Sequence, residues 1–294
     1  MLIEQSNITA TVQEAFNFTV DKFPLSGPEN MKSPFYGLFR SDNSECVGNA
    51  VSARYVPHQS EDIITLVECA SEAFQSSVEL KCHFKEGHYV MIQPTKEQRK
   101  LVFSPNRDSQ DAVWPRVIIS AGYDGKAFKA TMGYYRDVCK NMARVKDVRS
   151  TEVSIRHTSG LRGHMDELVR DFQSLKNSWV DLSAMIDQMA AKRVNMVEFL
   201  KAVYGEPSKE GRETTIHQNR TESIFRRLSS ERMQLGLGPI PGNYEISAWE
   251  GFNAVQAFAQ HDSIARKGSN EMSRILKSMS DANVLRAEHL ALSM

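Results

Sequence analysis

The pattern of apolar and polar residues changes in character near residue 160. Before that point, apolar residues mostly alternate with polar ones; beyond it, they recur every three or four positions. Alternation is typical of strands with one buried face, and a three-to-four spacing is typical of amphipathic helices. The chain is therefore predicted to be an α+β protein, with N-terminal antiparallel β-hairpins and a packed helix followed by a helical C-terminal half.

In the N-terminal half, the pattern predicts paired strands, each pair joined by a turn, and one amphipathic helix. Asp124-Gly125 is a strong turn signal for the last pair. Ser60 is a candidate N-cap for the helix. The predicted elements are a short helix near 11–20, strands at 35–39 and 51–55, a helix at 61–74, and hairpin strands at 78–84 with 88–92 and at 115–121 with 127–135.

In the C-terminal half, the pattern predicts helices separated by turn-forming sequence. Glycine and proline at 236–242 require a loop. The predicted helices run from about 161 toward 189, over 194–204, 218–234 and 244–260, with one frayed helix after 262. The predicted organisation is a polar N-terminal segment (1–33), an α+β domain (34–160), a helical region (161–261) and a polar C-terminal tail (262–294).

Composition narrows the class of protein. The 294 residues include 36 lysines and arginines and 36 acidic residues, so the net charge of zero excludes a uniformly basic DNA-coating protein. The longest apolar runs are far shorter than the roughly 18 residues that a membrane helix needs. The first residues also lack the basic and apolar stretches of a signal peptide. We therefore expect a cytoplasmic protein that makes no contact with membranes.

Motifs for catalysis are scarce. The four cysteines form no CxxC pair, so free thiols are expected and no metal site is predicted. Glycine-rich phosphate loops and a GxSxG elbow are absent from the sequence, and no cofactor or catalytic residue is assigned. The one catalytic alternative is a metal-dependent nuclease, in which Glu79 and Lys81 would act together with Asp62.

Charge is unevenly distributed along the chain. Residues 116–162 contain ten lysines and arginines but four acidic residues, a net charge of +6, with aromatic residues interleaved. Single-stranded nucleic acid binds to such combinations, since cations contact phosphates while aromatic rings stack on bases. A solvated sheet face whose aromatic residues point into the core is the alternative. The candidate phosphate contacts are Arg116, Lys126, Lys129, Arg136, Lys140, Arg144 and Arg156, and the candidate stacking residues are Tyr123, Phe128 and Tyr135.

Three segments carry a family resemblance. They are Tyr134–Asn141, Ile155–Thr158 and Ala248–Val255, with His261 after the last. In this order they resemble the phage/plasmid-like protein family carried by phages, prophages and plasmids, catalogued as a domain of unknown function (family 932). The resemblance covers about residues 35–262. The residues of the family motifs are Cys139, Asn141, His157, Trp249, Asn253 and His261.

The resemblance implies a protein of a mobile element but supplies no activity. The predicted order of a helix, antiparallel hairpins and a basic segment is similar to the core of single-strand annealing proteins, which bind single-stranded DNA and assemble into rings or filaments.

Each motif residue also has a structural interpretation: a single arginine commonly pairs with a carboxylate. Trp249 has the helical spacing of a core residue.

The sequence thus predicts a nucleic-acid-binding protein that binds and anneals single-stranded DNA in recombination as a homo-oligomer. Two alternatives stay open. One is a non-enzymatic interaction module that binds a host protein or forms a structural oligomer. The other is the metal-dependent nuclease.

Overall fold

The computed structural model describes residues 5–74, 77–84, 87–95, 111–123, 128–136, 138, 141–143, 152–155, 182–206, 212–263 and 271–293. The chain divides into two compact units. The first is formed by Met1–Lys100, Pro115–Met132 and Ser150–Ser178, and the second by Leu101–Trp114, Gly133–Arg149 and Trp179–Met294.

In its described residues, the first unit contains two antiparallel sheets and the α-helices α1 and α2. The smaller sheet has the strand order β1-β2-β3, and in the larger sheet the order runs β4-β5-β6-β7, with β9 also paired to β7. The elements are α1 (Gln5–Ala15), β1 (Val20–Ser26), β2 (Lys32–Arg40), β3 (Val51–Ser52), α2 (Ser60–Phe74), β4 (Val78–Phe84), β5 (Gly87–Pro94), β6 (Val113–Gly122), β7 (Phe128–Arg136) and β9 (Glu152–Ile155). The ends of β6 and β7 at Val113–Trp114 and Gly133–Arg136 belong to the second unit.

Helix α2 covers the larger sheet with its apolar stripe. Ile63, Leu66, Val67 and Ala70 recur at helical spacing and are all fully buried. The helix contacts β5, and α1 contacts both α2 and β4. The predicted N-cap, Ser60, instead donates its hydroxyl proton to the carbonyl oxygen of Phe16 at 2.7 Å, which ties the start of α2 to the end of α1.

The second unit is mainly helical, and α6 lies at its centre. All ten residues of α6 are buried, and α6 contacts α5 and α8. The elements are β8 (Asn141–Ala143), α3 (182–191), β10 (Arg193–Asn195), α4 (Met196–Tyr204), α5 (Arg212–Gln234), β11 (Glu245–Ser247), α6 (Ala248–Ala257), α7 (Glu271–Met279) and α8 (Ala282–Ser293). A π-helical turn at Phe258–Asp262 follows α6.

The sequence pattern placed two helix starts too early because a short strand precedes each helix. Strands β10 and β11 pair antiparallel, with Val194 opposite Ile246. Helix α4 begins only after Asn195, whose side-chain oxygen accepts the backbone N–H groups of Val197 and Glu198. Helix α6 begins after Ser247, which forms a capping box with Glu250.

The fold class predicted from the sequence is confirmed: antiparallel hairpins with packed helices precede a helical C-terminal half. The further differences are local, and one of them is that α5 begins at Arg212 rather than near residue 218. Helix α1 lies earlier than the expected 11–20, strand β1 was not predicted, and two helices rather than one frayed helix follow residue 262. Helix α8 is amphipathic and buries Val284, Ala287 and Ala291 in the core of the second unit.

Candidate nucleic-acid interface

The smaller sheet of the first unit exposes an apolar face. Phe23 on β1 lies opposite Gly37 on β2, so these residues share a side of the sheet with Phe35 and Phe39. The side chains of Phe23 and Phe35 are 53% and 51% exposed. We call this surface, formed by Phe23, Leu25, Phe35 and Phe39, the aromatic face.

The opposite side of the same sheet holds the structure together. Val20, Leu38 and Val51 alternate with the residues of the aromatic face and are buried in a cluster with Tyr55 and Tyr123. Because this inner side supplies the core contacts, the aromatic face is not needed to bury the sheet. Its exposed rings make it the candidate interaction surface of this sheet.

A glycine keeps the aromatic face flat. A Cβ atom at Gly37 would lie 2.7 Å from the ring of Phe39 and 3.1 Å from Leu25, closer than carbon atoms normally approach. The missing side chain therefore lets Leu25 and Phe39 lie over β2. The rings of Phe23 and Phe39 meet edge to face at 5.9 Å.

Of the cations around the aromatic face, some already bind other groups of the protein and others are exposed to solvent. Arg40 is paired with Asp42 at 2.6 Å, and Lys22 donates to the carbonyl oxygens of Ala53 and Tyr55. Lys32 at the tip of the hairpin and Arg54 after β3 are exposed. The first two cations are therefore committed to the fold, and the last two face solvent.

Two predicted phosphate contacts are buried instead. Arg136 is 1% exposed, and its guanidinium pairs with Asp111 and with Glu231, each at 2.7 Å. Arg116 is 3% exposed and donates from Nε to the Oε1 atom of Gln93 at 2.9 Å. Arg136 thus has the structural role that the sequence left open, and Arg116 is buried against Gln93 rather than exposed on a solvated sheet face. Neither arginine lies on the aromatic face.

The predicted stacking residues Tyr123 and Tyr135 are also buried, at 0% and 9% exposure. Tyr123 donates its hydroxyl proton to the carbonyl oxygen of His58 at 2.9 Å, and Tyr135 packs on Trp114 with 4.9 Å between ring centroids. These rings are therefore core residues and cannot stack on bases in this arrangement.

The remaining predicted contacts, and the family-motif residues of the first two resembling segments, are described only in part. Lys129 is half-buried on β7, and Phe128 and Asn141 lie in β7 and β8 without a described side chain. The others lie outside the described residues; they are Lys126, Cys139, Lys140, Arg144, Arg156 and His157.

The family-motif residues of α6 build the core of the second unit. Trp249 is fully buried and donates its indole N–H to Asp111 at 3.0 Å, and Asn253 donates to the carbonyl oxygen of Trp249 at 2.8 Å. His261 lies half-buried in the π-helical turn. Asp111 therefore accepts hydrogen bonds from both Trp249 and Arg136, which links two of the resembling segments physically.

The residues of the nuclease alternative are divided between two elements: Glu79 and Lys81 lie on β4, and Asp62 lies on α2. Glu79 on β4 accepts a hydrogen bond from Gln93 at 2.9 Å, and Asp62 on α2 accepts the backbone N–H of Gln59 at 2.8 Å. Across the described ranges, no three His, Cys, Asp or Glu residues are grouped as metal ligands would be. Cys46, Cys69 and Cys82 are free thiols. No helix in the part of the chain that the structure describes is long and apolar enough to span a membrane.

A buried histidine pair lies behind the smaller sheet. The Nε2 atom of His58 and the Nδ1 atom of His88 are 2.7 Å apart, so one ring donates a proton to the other. Tyr123 stacks on His58 with 4.4 Å between centroids, and Phe16 meets His88 edge to face. Burial, helped by the charge of Arg40, lowers the pKa of His88 to about 3.

The histidine pair makes stability depend on pH. His88 stays neutral in the folded protein but takes up a proton near pH 6.5 when unfolded. Stability from this group is therefore complete above pH 6.5 and falls by about 1.4 kcal/mol per pH unit below it. Urea unfolding between pH 8 and pH 5 should show this loss, and His88→Gln should reduce the slope. An unchanged slope in that variant would assign the pH dependence to other groups.

Sequence reasoning missed the aromatic face because it took β2 to be an ordinary hairpin strand. The available signal was that both alternating sets are apolar: Phe35 and Phe39 on one side, and Tyr36 and Leu38 on the other. A strand that is apolar on both sides is either buried twice or carries an exposed apolar face. The sequence alone does not distinguish these cases.

Comparisons with known proteins give one result. No curated protein and no solved structure matches the chain significantly. Residues 48–280 match the family model described as Domain of unknown function (DUF932), which covers most of the chain and includes all three resembling segments. The protein is therefore a member of the DUF932 family.

Proposed function

We propose that the protein binds single-stranded DNA and that bases stack on the aromatic face. The observation that carries this proposal is the pair of half-exposed rings, Phe23 and Phe35, on a sheet whose other side already supplies the core. Every base has a flat face, so exposed rings on a rigid sheet bind unpaired strands with little sequence preference. In duplex DNA the bases are already stacked and paired, so the proposed ligand is single-stranded.

Charge in the chain supports the same ligand. With Arg116 and Arg136 set aside as buried structural residues, eight lysines and arginines and four acidic residues are left between 116 and 162, a net charge of +4. Lys32 and Arg54 add exposed cations near the aromatic face. These groups would contact phosphates, which makes binding weaken as salt rises.

The arrangement of elements supports a role in strand annealing. Helix α2 is followed by the antiparallel strands β4, β5, β6 and β7, an order similar to the core of single-strand annealing proteins. This is an analogy of fold, and fold does not fix function. We propose that the protein acts in recombination as a homo-oligomer, is encoded by a phage or plasmid, and works in the host cytoplasm.

The proposal is tested by the anisotropy of a labelled single-stranded oligonucleotide titrated with wild-type protein, Phe23→Ser and Phe35→Ser. A base stack contributes about 1–3 kcal/mol, so each variant should bind roughly 5- to 150-fold more weakly. The dependence of affinity on salt should stay the same, because no cation is removed. Tyr244→Ser is the matched control, since Tyr244 is a 45% exposed aromatic residue of the second unit.

Two outcomes would overturn the proposal. Wild-type protein that fails to bind the oligonucleotide even at low salt does not bind single-stranded DNA. Wild-type binding that Phe23→Ser and Phe35→Ser leave unchanged would place the DNA elsewhere. If DNA binding is absent and the same variants dissociate an oligomer in sedimentation velocity, the aromatic face is a protein interface, as in the interaction-module alternative.

A further inference from the structure

The second unit contains a cavity of about 430 Å³ that no motif pointed to. Its walls come from the end of α4, the middle of α5, the π-helical turn and the start of α8. The side chains that matter for its chemistry are Tyr204, Asn219, Arg220, Phe258, Asp281 and Asn283. The volume lies in the range of small-molecule sites.

Among the described residues that line this cavity, Arg220 is the one lysine or arginine. Its guanidinium lies over the ring of Tyr204, 4.3 Å from the centroid, and this contact holds the group in place. Within the described residues, Arg220 takes part in no salt bridge or hydrogen bond, although acidic side chains line the same cavity. Its five N–H donors are therefore available to a ligand.

Of the two acidic residues that line the cavity, Asp262 and Asp281, the first is already paired with a cation. Asp262 accepts hydrogen bonds from Arg227 at 2.7 Å and from Ser223 at 3.0 Å. Burial raises the pKa of the Asp262 carboxyl, but hydrogen bonding to Arg227 and Ser223 outweighs burial and holds the pKa below its ordinary value. Asp262 is therefore charged and paired with Arg227, so its charge is compensated without Arg220.

The backbone at this wall is unusual. After α6, the chain forms a π-helical turn over Phe258–Asp262, and the N–H of Ser263 donates to the carbonyl oxygen of Phe258 at 3.0 Å. The turn brings Phe258, Asp262 and Ser263 to the cavity wall. π-helical turns are rare and are frequent at functional sites.

We infer that this cavity binds a phosphate monoester of mononucleotide size. Arg220 would hold the phosphate, because guanidinium and phosphate pair through two parallel hydrogen bonds. The ring of Phe258 provides an apolar wall for a base, whereas the ring of Tyr204 supports Arg220. The amides of Asn219 and Asn283 can donate to and accept from its edge. The inference goes beyond DNA binding: every lining residue belongs to the second unit, whereas the aromatic face belongs to the first.

The test is isothermal titration calorimetry of the full chain with a nucleoside 5′-monophosphate, inorganic phosphate, an unphosphorylated nucleoside and benzoate. The monophosphate should bind most tightly, inorganic phosphate weakly, and the nucleoside and benzoate least. Arg220→Gln should weaken monophosphate binding roughly tenfold or more, the expected loss of a charge-assisted pair. Arg226→Gln is the matched control, because Arg226 is an exposed arginine of the same helix outside the cavity.

A second variant protects the test against misfolding. Asn219→Asp adds a negative charge at an exposed position of the cavity wall and should weaken monophosphate binding by repulsion, with an unchanged melting temperature. The inference is overturned if the monophosphate does not bind, if benzoate binds as well as the monophosphate, or if both variants bind like wild type. Each result is independent of the DNA proposal, because Phe23→Ser and Phe35→Ser leave this cavity intact.

Discussion

Replacing Arg136 by methionine is expected to lower the free energy of unfolding by about 3–5 kcal/mol. The substitution removes the charge that Asp111 and Glu231 share while leaving both carboxylates buried. Burial already raises the pKa of the Glu231 carboxyl despite the opposing charge of Arg136. Without the arginine, both carboxylates must take up protons or draw in water. The hydrogen bond from the Trp249 indole to Asp111 is then disturbed as well, because Asp111 is no longer held by Arg136.

Urea unfolding followed by circular dichroism measures this effect. Arg226→Met is the control, because Arg226 is exposed on α5 and its replacement should change stability by less than about 0.5 kcal/mol. A change at Arg136 as small as that of the control would mean that the ion pairs of Arg136 contribute little. In that case Arg136 would not be conserving the stability of the second unit through its ion pairs, and the structural role assigned to it would be wrong.

Alanine at Gly48 is expected to destabilise the first unit by more than about 4 kcal/mol. Gly48 has a φ of +69°, and its added Cβ would overlap the carbonyl oxygen of Tyr123 and lie 2.8 Å from the Cβ of Tyr123. The same carbonyl accepts the backbone N–H of Asn49 at 3.2 Å, so the backbone cannot move away without losing that bond.

Gly205→Ala separates backbone strain from crowding. Gly205 has a φ of +82°, but no atom lies within 4 Å of a Cβ built there. This variant should therefore cost only the left-handed conformation, about 1–2 kcal/mol. Differential scanning calorimetry of Gly48→Ala and Gly205→Ala measures the loss of stability in each variant. Equal losses would show that the approach of Gly48 to Tyr123 is not important for stability.

The sequence predicted those elements that carry a regular spacing of apolar residues within their own length. Helix α2 has a regular apolar stripe, and β4 and β5 alternate strictly around a short turn, so both could be predicted from the residues alone. Strand β1 was missed, since Asp21, Lys22 and Pro24 make its sequence polar and irregular. It forms because β2 lies beside it, with Val20 opposite Arg40.

The site residues depended on contacts that sequence spacing does not reveal. Arg136 has the same local surroundings as an exposed cation, and its partners Asp111 and Glu231 lie 25 and 95 residues away. Tyr123 is buried because distant His58 and His88 surround its ring. Exposure of Phe23 and Phe35 likewise depends on which side of their sheet is covered, and only the structure supplies that.

The most direct test of base stacking on the aromatic face is photochemical. A single-stranded oligonucleotide carrying 4-thiothymidine is irradiated in complex with the protein, and the crosslinked peptides are identified by mass spectrometry. Stacking on Phe23 and Phe35 predicts crosslinks within β1 and β2, lost in the Phe23→Ser and Phe35→Ser variants and kept in Tyr244→Ser. Crosslinks confined to other segments, with none in these two strands, would contradict the proposal.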